Sequence, residues 1–197
     1  MELALSVALG VGLAAACGFR VFVPFTIMSI AALSGYLHLS PDFAWIGTYP
    51  ALLAFSTATV LEIMAYYVPW LDHVLDTIAA PAAVVAGAIA TASVVTGMSP
   101  MLQWSTAIIA GGGAAAIFQA STTVVRGVST MTTGGIGNFF VATGELIGAI
   151  ALSILALALP WLALLCLVLF VVFIVRTLQR RRARGKLATT EIGRAHV

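Results

Sequence analysis

From Phe139 to Val175 the chain runs 37 residues with one charged side chain, Glu145. About 20 apolar residues suffice to cross a hydrocarbon core, so one helix cannot hold this stretch and a hairpin is expected. Leu159-Pro160-Trp161 is the expected turn. Pro160 suits the first position of a helix, and Trp161 suits a membrane interface. Comparable apolar stretches recur along nearly the whole chain. Of 197 residues, 61% are hydrophobic and 8% are charged, whereas soluble domains carry about 25% charged residues. The fold class is therefore all-α, a polytopic helical membrane protein without room for a separate soluble domain. Its first partner is the lipid bilayer.

Six spans fit, at about residues 3–33, 50–68, 80–97, 104–128, 139–158 and 161–180, in one membrane domain over 1–187. The first is too long for a straight crossing, since about 30 residues at ~1.5 Å each exceed a core of about 30 Å. Gly18 and Pro24 flank Arg20, so a bend or broken helix is expected there. Met1–Cys17 looks superficially like a cleaved leader, but Glu2 stands where a basic residue belongs and the apolar run continues to Leu33. It is read as a retained helix. Cys17 and Cys166 both fall in apolar stretches and are expected to pack rather than pair.

Orientation rests on the basic cluster Arg176, Arg180, Arg181, Arg182, Arg184 and Lys186. The positive-inside rule places it in the cytoplasm, and six crossings place the N-terminus there too. That cluster marks topology, and no nucleic-acid partner is assigned. Residues 188–197 read as a disordered tail. Its end, Glu191–Val197, matches the translation of a common sequencing adapter, so Arg194 and His196 carry no function.

Four charges sit inside the apolar stretches: Arg20, Glu62, Arg126 and Glu145. Such charges cost about 2.5–3.5 kcal/mol each at a helix centre and usually mark a functional path. Here they fall as one Arg and one Glu in each half. Gly10–Ala16 resembles Gly111–Ala116, and each run leads to an arginine. This pattern suits two inverted three-helix repeats, 1–100 and 101–180, an arrangement frequent in transporters. The alternative is structural, with two Arg–Glu pairs pinning helices together, or Arg126 snorkelling at a helix end.

Thr132–Asn138 is glycine-rich and precedes the fifth span. A tight inter-helix turn is favoured over an anion cradle, with Asn138 as N-cap and close enough to join the polar centre. Asp72 and Asp76 lie one turn apart with His73 between them. They are potential metal ligands, but helix capping or pairing with arginine explains them more simply. No metal, cofactor or catalytic set is assigned. Small residues at i,i+4 (Ala83/Gly87, Ala86/Ala90, Gly144/Gly148) suit close helix packing, within one chain or in a homo-oligomer.

The residues Cys17-Gly18-Phe19-Arg20, Pro24-Phe25, Leu61-Glu62, Pro69-Trp70-Leu71-Asp72-His73, Asp76-Thr77-Ile78, Pro81, Gly87, Arg126, Gly134–Asn138 and Glu145 together resemble the bacterial integral membrane proteins grouped as domain of unknown function 4126. The resemblance runs from about residue 5 to 175. Phe19 stands where Leu is common, and Tyr66-Tyr67 replaces a more polar pair. The resemblance implies a membrane protein and no particular activity. The leading expectation is a small-solute or ion transporter or channel of the inner membrane, taking a small anion or cation past Arg20, Glu62, Arg126, Asn138 and Glu145. A non-transporting structural or partner-docking module is the second. A lipid-acting enzyme using Asp72, His73 and Asp76 is the third.

Overall fold

The structure is a computed structural model. It describes the backbone of residues 2–66 and 69–194; the side chains of 67–77, 178 and 180–197 lie outside the described residues. All regular structure among the described residues is helical: α1 (Glu2–Cys17), α2 (Phe22–Leu33), a 3-10 helix (Pro41–Gly47), α3 (Tyr49–Tyr66), α4 (Pro69–Val94), α5 (Pro100–Thr106), a π-helical segment (Ala107–Gly112), α6 (Gly113–Thr133), α7 (Asn138–Ala158) and α8 (Pro160–Arg194). Tyr49–Tyr66, Pro100–Thr133, Asn138–Ala158 and Pro160–Thr177 are each long and apolar enough to cross a membrane. Glu2–Cys17, Phe22–Leu33 and Ile78–Val94 are shorter apolar helices. Met1–Leu164 and Leu165–Val197 are two separate compact units. In the second, α8 stays helical to Arg194, through residues expected to be an irregular tail.

The break expected at Leu159-Pro160-Trp161 is present, with α7 ending at Ala158 and α8 opening on Pro160. The third span starts earlier than expected. Pro69 opens α4, and Pro81 lies within it instead of bounding it. Cys166 is exposed, while Cys17 is buried among the helices as expected.

The main departure concerns the first span. Several contacts fix the end of the first unit that holds residues 34–48. Ser40 N–H donates to the Ser93 carbonyl at 2.7 Å, and Gln103 Nε2 donates to the carbonyls of Ala92 and Val95. Gly10 packs on Thr91 and Val94, Gly12 on Ala156 and Ala163, and Gly18 on Phe118. Hence α1 starts at this loop end and descends, parallel to α5–α6. From the break, α2 climbs back along α3, through Phe25 on Phe55 and a Thr26–Thr59 hydroxyl contact. It ends where Ile30, Ala31 and Ser34 share a cleft with Ile154, Leu157 and Ala158. Residues 2–33 therefore form a re-entrant hairpin folded at Gly18–Val21, not one kinked crossing. Such a break at depth is tolerated because protein buries it.

Small residues permit this packing. A Cβ on Gly87 would stand 2.6 Å from the Ala115 Cβ and 2.9 Å from the Gly111 carbonyl oxygen. Thr91 fills the same junction, its hydroxyl donating to the Gly10 carbonyl at 3.0 Å. Gly148 faces the Phe19 ring, but Gly144 has nothing nearby, so only one of that expected pair packs. The buried core of Leu13, Phe25, Met28, Ile46, Val94 and Ala156 lies toward the loop end. The charges lie deeper.

Candidate functional site: a buried arginine pair around Glu145

Gly134 and Gly135 turn the chain between α6 and α7 with φ of +64° and +94°, values that favour glycine. This is the tight turn the sequence suggested. Asn138 is not its N-cap; Gly137 takes that position, and the Asn138 Nδ2 donates to Thr130 Oγ1 at 3.1 Å. Arg126 lies eight residues before Gly134, and Glu145 lies eight after Gly137. An antiparallel pair with a tight turn sets equidistant residues at one height, so the two side chains meet. Arg126 Nε donates to Glu145 Oε1 at 2.9 Å, and its Nη2 pairs with Oε2. With 4% and 5% exposure, this is a buried bidentate fork, the strong form of the interaction. Arg126 does not snorkel.

Arg20 reaches the same carboxylate from the fold of the α1–α2 hairpin. Its Nη2 stands 3.7 Å from Glu145 Oε2 and donates to the Ala142 carbonyl at 2.9 Å. The residue is 2% exposed, and among the described residues neither Nε nor Nη1 has a hydrogen-bond partner. Both arginines therefore converge on one glutamate, in place of one pair per half.

Glu62 has a different role. Its Oε1 accepts from the Val21 N–H at 2.8 Å and its Oε2 from the Phe22 N–H at 3.1 Å. The first turn of a helix leaves its N–H groups unsatisfied. Here two go to Glu62, and Pro24 has none to satisfy. A carboxylate on α3 thus caps the amino end of α2, where the helix dipole favours negative charge.

Tyr66, four residues after Glu62, shares its face of α3. Its buried ring lies 3.7 Å from the Arg20 guanidinium carbon and 4.2 Å from that of Arg126. The sequence reading treated this position only as a departure from a polar pair. Desolvated cation–π contacts contribute about 2 kcal/mol each. Tyr66→Leu is therefore expected to lower unfolding free energy by about 2–4 kcal/mol, measured in bicelles; a loss under about 0.5 kcal/mol would remove Tyr66 from the cluster. Asp72, His73 and Asp76 have side chains outside the described residues.

A family model described as domain of unknown function (DUF4126) matches residues 7–180. The chain belongs to this family. No curated protein and no solved structure matched it. The matched region of this DUF4126 member contains Arg20, Glu62, Tyr66, Arg126 and Glu145, which includes every group of the cluster described above.

Proposed function

We propose that the protein carries a small solute or ion across a bacterial inner membrane, with Arg20, Glu62, Arg126 and Glu145 as its polar centre and Asn138 on the approach. The observation behind this reading is Arg20. A buried donor left without an acceptor costs about 1–3 kcal/mol, more when charged. A structural pin gains nothing from donors it does not use, whereas a polar passage needs groups that can engage a solute. The break in the α1–α2 hairpin supports the reading, since interrupted helices commonly form solute sites at membrane depth.

The proposed orientation follows the basic cluster, with Arg176–Lys186 in the cytoplasm.

A structural or partner-docking module is the second reading, favoured by the Arg126–Glu145 fork, which satisfies itself without a solute. Flux separates the two. Proteoliposomes are tested with a panel of inorganic ions and small organic anions. Wild type is expected to show flux of at least one, and Glu62→Gln and Glu145→Gln each to change it about tenfold or more, equivalent to about 1.4 kcal/mol. Equal flux in all three proteins would remove the carboxylates from the path.

A further inference from the structure

We infer that the solute is a small monovalent anion, received by Arg20 and the amino end of α2, and that Glu62 occupies this seat as the protein's own competing carboxylate. The inference rests on the carrier reading and names its solute class.

Hydrogen-bonding capacity decides the sign. Both glutamates are engaged, Glu145 accepting from Arg126 and standing 3.7 Å from Arg20, and Glu62 accepting from the N–H groups of Val21 and Phe22. Donors are left over. Arg20 Nε and Nη1 have no partner in a residue that is 2% exposed, and a guanidinium offers five N–H bonds and no acceptor. It also stays protonated at any ordinary pH. A ligand completing this centre must accept hydrogen bonds and carry negative charge. A cation would meet the guanidinium and the positive end of α2 with no carboxylate free to receive it.

Position supports the same ligand. Arg20 directly precedes Val21, the residue that precedes α2 as its N-cap. The amino end of a helix carries the equivalent of about half a positive charge and binds anions through its backbone N–H groups. The guanidinium with unpartnered donors and the first capped N–H thus belong to consecutive residues. Glu62 is not part of α2. It reaches in from α3, so a small movement of α3 releases the two N–H groups without unwinding α2. The group to be replaced is one carboxylate of one charge, which sets the size and valence of what replaces it. Chloride and nitrate fit; a polyvalent or bulky anion does not.

The test uses the full chain in nanodiscs of uncharged phosphatidylcholine, titrating sodium chloride against sodium gluconate at constant ionic strength and reading the thermal unfolding midpoint. Glu62→Gln keeps the side-chain shape and removes the competing charge. It is expected to lower the half-saturating chloride concentration at least about tenfold. Adding Arg20→Leu should abolish the response. If that double variant does not fold, Arg20→Lys in the Glu62→Gln background is expected to raise half-saturation about tenfold, because a point charge cannot replace a planar donor set. Equal chloride responses in wild type and Glu62→Gln, or a response indifferent to Arg20, would overturn the seat. Glu145-dependent flux of a cation or neutral solute without any chloride response would overturn it and leave the carrier reading standing. A chloride response with no flux of any solute would keep the seat and remove the carrier reading.

Discussion

Glu145→Ala is expected to destabilise the protein by about 3–5 kcal/mol, the usual cost of removing one partner from a buried ion pair. Glu145 accepts both bonds of the Arg126 fork and stands beside Arg20. Its loss strands positive charge in a region where all three residues are 5% exposed or less. Neither guanidinium can escape by losing a proton. Glu145→Gln should cost less, because the amide oxygen still accepts one bond. Equilibrium unfolding in bicelles measures both variants. A loss below about 1 kcal/mol for Glu145→Ala, the range of an exposed pair, would show that the cluster is hydrated and that its burial does not hold in a membrane.

Gly111→Val is expected to cost at least about 3 kcal/mol, the upper end for overpacking. A Cβ at Gly111 would collide with Thr91 Oγ1 and stand 2.7 Å from the Gly87 carbonyl oxygen and 2.8 Å from the Thr91 Cβ. Backbone cannot rotate away as a flexible side chain can. Any relief must separate the π-helical segment from α4, which also disturbs the Thr91–Gly10 bond to α1. Gly113 is the control. It lies two residues on, and a Cβ there meets nothing within 4 Å. Gly113→Val should change stability by about 1 kcal/mol or less, close to its propensity effect. Equal losses for the two variants would mean that glycine matters here for helix geometry and not for close approach.

The membrane class, the turn between α7 and α8 and the break near Arg20 were legible because each follows from local quantities: apolar length, proline position and glycine placement. Glu145 as partner of Arg126 was legible too. Their equal distances from the Gly134–Gly137 turn put them at one height, and the halves comparison already set both in the second half. Tyr66 could have been found from its four-residue spacing to Glu62. What sequence could not supply was the sense of α2. A bend and a full reversal at Gly18–Val21 need the same residues, and the choice depends on α2 packing against α3. The role of Glu62 was hidden for the same reason: it caps a helix start 41 residues earlier in the chain. The third span was expected to start near residue 80, whereas α4 already runs from Pro69, since surrounding helices can support a proline such as Pro81 inside a membrane helix.

The α1–α2 hairpin also bears on the order in which the protein is made. Its fold carries a charged side chain and exposed backbone N–H groups that lipid cannot satisfy. Their partners, Glu62 and Ala142 with Glu145, are synthesised about 40 and 120 residues later. The hairpin therefore cannot settle in the bilayer alone. It must wait at the interface or in the insertion machinery until α3 and α7 arrive, so it reaches its final place only after segments made later than itself.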